Sequence, residues 1–376
     1  MRLTGKVSKD WFIDYLIANG EIVEYWNIYK LLFNSGNESE LTKSNISMDI
    51  ENYSELENLI NIENNKKAIY VMLIDYSIKS KKLYTILTNY NKIMIFIRWG
   101  AMPAIKNNIL IKLNNNILNP LLIFKKIKQK IINKLEINDK VIKPFAIEFV
   151  AGKELLPYVK TKGKVIPINL CDYENYIECI NYKTYENENK YVVFLDINLP
   201  YQSDHNVMES SPINPNTYYD SLNRFFKIIE FKFKVEVIIA AHPQSINYEN
   251  RYFGRKVLHS KTAELVKNAE FIINHHSTSQ SYAILFGKPT IFIYTNEMKK
   301  LYRHGVFESI KALSKFLNSN IYNIDKIKLE NQIDIKPINT NRYFNYKYNY
   351  ITSKETEQIS SKEIFMNEIK KLNIND

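Results

Sequence analysis

Short apolar runs that stop on a polar residue, each followed by a stretch with helical spacing, constrain this chain more than any other feature of it. In the second half the runs are "YVVFLDINLP" (191–200), "VEVIIAAHP" (235–243), "EFIINHH" (270–276) and "KPTIFI" (288–293). Between them lie "NPNTYYDSLNRFFKIIEFKF", "KTAELVKNA" and "TSQSYAILFG", whose apolar residues recur every three or four positions. Runs of this kind read as strands buried on both faces. Strands separated by helices make a parallel sheet with helical cover. The first half repeats the theme with "KAIYVMLID" ending at Asp75, the helix "KKLYTILTNY", then "KIMIFIRWG" with Arg98 and Gly100 at its tip, and "PFAIEFVAG". Ahead of these, "SKDWFIDYLIANG" predicts one helix closed by Gly20, and "EIVEYWNI" predicts a strand.

A chain of 376 residues is long for one core. The stretch "KVIPINLCDYENYIECINYKTYENENK" reads as a strand followed by a polar, charged connection, which puts a boundary near Glu186 to Lys190. The expected fold class is α/β, with two Rossmann-like doubly wound domains facing a cleft. The expected domains are 1–187, 188–330, and a tail over 331–376 that packs back on the first. The tail is polar and rich in Tyr and Asn from about Ile333, and it closes with the helix "SSKEIFMNEIKKL", capped by Ser360 or Ser361.

Charge narrows the partners. The net charge is +11 and the pI about 9.2, which favours anionic ligands or surfaces. Asn, Ile, Lys and Tyr are abundant and Gly is scarce, so coding bias accounts for part of the lysine excess. The basic residues are spread along the chain, with no concentrated face of Lys and Arg interleaved with aromatics, so nucleic acid is not an expected partner. The exception is "NPLLIFKKIKQKIINKL". There Phe124, Ile127, Ile131 and Leu135 share one helical face and Lys125, Lys126, Lys128, Lys130 and Lys134 fill much of the rest. That pattern suits a surface helix, and also an anionic membrane surface as a partner. No run of about 18 uncharged apolar residues exists to span a bilayer. The first twenty residues lack the apolar core of a signal peptide. Two cysteines, Cys171 and Cys179, fit a reduced compartment. The expectation is a cytoplasmic protein, peripheral at the inner membrane face.

All six histidines lie in the second half: His205, His242, His259, His275, His276 and His304. His242, His275 and His276 each sit where a strand meets its loop, and His205 follows the run at 191–200. The carboxyl ends of parallel strands form the ligand-binding edge of such a sheet. Ser277, Thr278 and Ser279 fall at the start of the next helix, where hydroxyls cap free N–H groups and where an anion such as phosphate is favoured. One hydroxyl suffices for a cap, and here there are three. Pro243 restricts His242 to an extended backbone that points it off the strand tip. Lys261 and Thr262, opening "KTAELVKNA", complete the expected donor-binding set of His242, Pro243, Lys261, Thr262, His276, Ser277, Thr278 and Ser279. No metal-ligand carboxylate set, nucleotide-binding glycine motif or serine nucleophile elbow is present.

With these residues in place, the region from about Tyr191 to Ile293 resembles the C-terminal half of GT-B glycosyltransferases. It is most similar to the sialyltransferase-like bacterial enzymes that use CMP-activated acidic sugars in capsule and lipopolysaccharide assembly. His242-Pro243 resembles the His-Pro motif of those enzymes, and Ser277-Thr278-Ser279 their Ser/Thr motif. Both motifs hold the CMP phosphate in that family. The resemblance implies a metal-independent transfer of a nonulosonic or Kdo-like sugar from a CMP-sugar donor to a cell-surface glycan or glycolipid, with no cofactor beyond the donor. The acidic triplet that carries the base in that family is missing here, so the expected base is Asp75, with Asp204 second. Alternatives are a UDP-sugar or polyol-phosphate donor on the same fold, a sugar-nucleotide 2-epimerase, and a basic nucleic-acid-binding protein. The absence of any Asp or Glu between Glu270 and Glu297 counts against the epimerase.

Overall fold

The computed structural model describes residues 3–33, 45–62, 68–104, 142–181, 185–201, 213–243, 245, 251–302 and 305–374. The expected class is the one observed: α/β, with parallel sheets and helical crossovers. A small parallel pair joins β1 (Tyr25–Asn27) to β2 (Ser47–Asp49). The first main sheet has four parallel strands in chain order: β3 (Ile69–Met72), β4 (Ile93–Arg98), β5 (Ile147–Val150) and β6 (Lys164–Pro167). Helix α1 (Lys81–Asn89) connects β3 to β4 and buries Leu83, Tyr84, Ile86 and Leu87.

The second sheet has six parallel strands: β7 (Tyr191–Leu195), β8 (Glu236–Ala240), β9 (Val257–Leu258), β10 (Ile272–Asn274), β11 (Thr290–Tyr294) and β12 (Ile321–Asn323). They lie side by side as β12-β11-β10-β7-β8-β9. Every residue of β7 and β10 is buried, as a central strand covered on both faces requires. The direction of winding reverses between β7 and β10, which makes their carboxyl ends the switch point of the sheet.

Helices connect the strands of this sheet and flank it. Helix α3 (Pro215–Phe233) begins where Pro215 follows Asn214, whose side chain accepts from the N–H groups of Asn216 and Thr217. It ends at Lys234 in the left-handed conformation. Helices α4 (Thr262–Asn268) and α5 (Gln280–Leu285) cover one face, and α6 (Val306–Leu317) packs against β11.

Three local expectations need correction. The N-terminal segment is two helices, Gly5–Asp10 and Ile13–Ala18, broken where Phe12 takes a φ of 60°. The break turns Phe12 into the core, its ring centroid 6.1 Å from Trp99 and 5.4 Å from Phe365. The strand expected over 21–28 is limited to β1. The polar connection after β6 contains a helix, α2 (Cys171–Asn181), which packs on α4 and α5.

The C-terminal segment lies against the first sheet. Helix α7 (Ser361–Ile374) places Phe365 5.0 Å from Phe149 of β5. Asn169 donates to the carbonyls of Thr356 and Ile359, and Leu170 N–H donates to Ile351 O at 2.7 Å. Ser361 starts the helix, but its N–H is taken by the Glu174 carboxylate, and Ser360 Oγ donates to the same group. The cap therefore comes from α2 rather than from the local serines. Apolar residues of both main sheets, among them Ile97 and Phe149 of the first and Val192 and Phe194 of the second, belong to one continuous core.

Candidate active site

Strand register brings the expected site residues to one edge. Leu195 of β7 stands level with Ala240 of β8 on one side and with Asn274 of β10 on the other. The next residues on the three strands are Asp196, Ala241 and His275. Beyond them come Ile197, His242 and His276. His242 and His276 thus emerge on either side of β7, at the switch point.

The two adjacent histidines differ. His275 has no exposed surface. Its Nδ1 lies 2.7 Å from Ile293 O and donates to it, and its Nε2 lies 2.9 Å from the Tyr218 hydroxyl. Burial pulls its pKa down to about 3 against the Ile293 bond, so the ring is neutral and fully satisfied. It is a core residue. His276 is half-buried at the edge, and burial lowers its pKa to about 4. Its Nδ1 is buried with no hydrogen-bond partner among the described residues. A buried polar atom left unpaired asks for an explanation, and a ligand or water atom supplies one.

A pH test follows from His275. Below its ordinary pKa of 6.5, the unfolded chain takes up a proton that the folded protein refuses until about pH 3. Stability is therefore intact above 6.5 and falls with decreasing pH, by about 1.4 kcal/mol per unit. Urea unfolding between pH 6 and pH 4 is expected to show this slope. In His275→Asn, whose amide can reach Ile293 O, the slope should fall by that amount and keep only the share from His276, whose pKa burial also lowers. An unchanged slope would place the titration elsewhere.

The turn after His276 is built by Asn274. Its Oδ1 accepts from Ser277 N–H at 2.9 Å, and its Nδ2 donates to Gln280 Oε1 at 2.9 Å. Gln280 in turn donates to Thr290 Oγ1 at 3.0 Å. Ser277 Oγ accepts from Ser279 N–H at 3.3 Å, so one of the three hydroxyls does the local capping. Thr278 is exposed and Ser279 half-buried. Ser281 donates to the buried carboxylate of Asp172 on α2, which ties this turn to the segment leaving the first sheet.

His242 is half-buried and Pro243 exposed, and His242 O accepts from Ser245 N–H at 3.0 Å in a tight turn. Lys261 and Thr262 follow β9, two strands from β7 along the same edge, with Lys261 exposed. The sequence reading missed Asp196 and Asn198, both buried in the loop directly after β7. Asp196 Oδ1 accepts from Asn198 N–H at 2.9 Å, and Asn198 has a φ of 50°. The signal was available: an Asp-x-Asn after the central strand's apolar run, a sequence prone to an Asx turn.

Asp75 sits apart from this edge, on the first sheet. Its Oδ2 is 3.0 Å from Arg98 Nη1, and its Oδ1 is 3.3 Å from Lys160 Nζ. Arg98 also donates through Nε to Glu148, which is wholly buried and accepts from Lys160 N–H at 2.7 Å and from Thr161 N–H. Burial acts to raise the Asp75 pKa, but the Arg98 hydrogen bond and the charges of Lys160 and Arg98 outweigh it and hold the carboxyl below its usual value. A carboxylate held between two cations is a poor proton acceptor, so the expected role of Asp75 as base does not agree with its surroundings. Asp204, His205, His304 and the segment 119–135, expected to be a basic helix, lie outside the described residues. Among the described residues no group of three His, Cys, Asp or Glu is placed to hold a metal ion, and no helix is long and apolar enough to cross a membrane.

Neither protein-family models nor curated protein sequences give a match to the chain. Among solved structures it is similar to the glycotransferase of kitacinnamycin, at TM-score 0.44 and 10% identity, over 86% of this chain and 84% of that one. It is similar to a variant of the wall teichoic acid polymerase TagF, at TM-score 0.44 and 9% identity, over 97% of this chain and 86% of that one. A putative UDP-N-acetylglucosamine 2-epimerase from Listeria monocytogenes gives TM-score 0.41 and 11% identity, over 89% and 83%. These are likenesses of outline at low identity. The site rests on the chain's own residues.

Proposed function

We propose that the chain is a glycosyltransferase that takes a nucleotide-activated sugar at the carboxyl edge of the second sheet and passes the sugar to a glycan acceptor. The observation that carries this reading is the convergence of His242, His276 and the Ser277–Ser279 turn on the switch point between β7 and β10, where open parallel sheets take their ligands. The unpaired Nδ1 of His276 supports it, because a bound donor would satisfy that atom. The finer reading is a CMP-activated acidic sugar. Its leaving group is a single phosphate monoester, which neutral imidazole N–H groups and hydroxyls stabilise by hydrogen bonding. Asp204 is the carboxylate to test as base.

The experiment is a donor panel with release of CMP and UDP measured side by side. CMP release that depends on acceptor, continues in excess EDTA and falls roughly 10-fold or more in His242→Ala is the expected result, on the order of one lost charge-assisted hydrogen bond. UDP release, or turnover of a UDP-sugar without acceptor, would move the assignment to the UDP-sugar transferase or the epimerase. Full activity in both His242→Ala and the Ser277→Ala/Thr278→Ala double variant would remove this edge from the donor site.

A further inference from the structure

The histidine turn is held from two sides. Toward the sheet, the Gln280 side chain is bonded to Asn274 and Thr290. On the other side stands α2. Ser281, 1% exposed, donates its hydroxyl to the Asp172 carboxylate, and the same Oγ lies 3.2 Å from Thr278 O. One residue further on, the Tyr282 hydroxyl accepts from Asn175 Nδ2 at 3.0 Å. Its O–H also favours the charged form of Asp172. Helix α2 follows directly on β6, the last strand of the first sheet. A turn at the edge of the second sheet is thus fastened to an element that issues from the first.

Asp172 is a costly way to join two helices. It is buried, and burial raises its pKa, outweighing the Ser281 hydrogen bond, the Lys6 charge and the Tyr282 hydroxyl. Lys6, the cation whose charge reaches it, is already bonded to Asp10 at 2.7 Å. A carboxylate so placed would be better solvated in water. The packing of α2 has other sources. Tyr176 meets Phe286, at the end of α5, with ring centroids 4.9 Å apart, and Lys267 of α4 donates to Cys179 O at 2.8 Å. What the carboxylate adds is a strong, directional acceptor for Ser281, which a neutral partner would not match. A costly buried charge kept beside a ligand-binding turn suits a group whose task is to fix that turn.

We infer that Asp172 is a positioning residue for the donor. Through Ser281 its carboxylate sets the place of the Thr278 carbonyl, and with it the course of the Ser277–Ser279 turn. It acts through Ser281 rather than on the donor itself. The inference rests on the donor reading above, and hydrogen exchange in the ligand-free protein tests it separately from transfer.

The test compares full-length wild type with Asp172→Asn, Asp172→Ala and Ser281→Ala. Amide hydrogen exchange, read by mass spectrometry without ligand, is expected to quicken roughly 10-fold over residues 277–282 in Asp172→Ala and Ser281→Ala. The effect should be smaller in Asp172→Asn, whose amide oxygen still accepts from Ser281. Exchange in β7 and β8 should stay as in wild type. The urea midpoint of Asp172→Asn should equal or exceed that of wild type, because a buried charge is gone. In the donor panel above, KM for the donor that is turned over should rise roughly 10-fold in Asp172→Ala and Ser281→Ala, with a smaller change in kcat. A residue that served folding alone would lower the midpoint and leave KM where it was. Unchanged exchange over 277–282, a lower midpoint with protection lost across the whole second sheet, or faster local exchange with an unaltered KM each overturns the proposal. Local loosening in a chain that turns over no donor would instead sink the glycosyltransferase reading and leave Asp172 as the residue that fixes this turn.

Discussion

Gly152→Ala is expected to abolish the folded state or bring it close to its limit. Gly152 follows β5 with φ 81° and ψ 153°, a combination that only glycine adopts without strain. A Cβ there would lie 2.4 Å from Asn349 O, 2.6 Å from Asn349 C and 2.7 Å from Tyr350 Cα. All three are backbone atoms of the C-terminal segment, so no side-chain rotation relieves the clash. Backbone strain alone costs about 1–3 kcal/mol, and the displaced contact adds to it. A total of roughly 4 kcal/mol is a large share of the stability of a typical domain. Urea unfolding of Gly152→Ala, beside Gly5→Ala as a control, measures it. Gly5 has nothing within 4 Å of its Cβ position, so the control should unfold like wild type. If Gly152→Ala matched the control, the C-terminal segment would not rest on this loop in solution.

The second large effect concerns Glu148. It is wholly buried and pairs with Arg98, itself 6% exposed, while also accepting from two backbone N–H groups. Glu148→Ala takes the wholly buried carboxylate from a buried guanidinium and leaves it only the partly exposed Asp75, a loss of about 3 kcal/mol, at the lower end of what breaking a buried pair costs. The double variant Arg98→Met/Glu148→Ala removes both charges. It should recover part of that loss, because a buried charge left alone costs more than a missing pair. The full double-mutant cycle, read by chemical unfolding, tests the coupling. Simple addition of the two single losses would show that the pair is not coupled in the folded protein.

What the sequence made legible was the alternation. "YVVFL", "EVIIA" and "TIFIY" become β7, β8 and β11, and Asn214-Pro215 opens α3 as the residue types require. Strands β9 and β12 have two and three residues, too short for a periodic signal to stand out. Helix α2 was hidden because its buried face carries Asp172, Tyr173 and Cys179, a weak apolar stripe between polar neighbours. At the site, the contrast between His275 and His276 could have been read from strand alternation. His275 continues the face of Phe271 and Ile273, which points into the main core. The pairing of Asp75 could not be read this way. Its partners Arg98 and Lys160 lie 23 and 85 residues along the chain, and only the sheet brings them together.

The contacts of α7 with the first sheet also set a schedule for synthesis. Lys164 of β6 waits for Glu368, 204 residues later in the chain. At about 5–20 residues per second, a ribosome needs roughly 10–40 s to supply that partner. During this interval Phe149 and Phe12 have no Phe365 to cover them, and nascent chains carry an uncovered apolar face. The second sheet closes over shorter separations and can form before the first is covered. Overproduction that crowds ribosomes along the message should therefore cause losses concentrated in the N-terminal half. Slower translation after residue 200 should lengthen the exposure and worsen them.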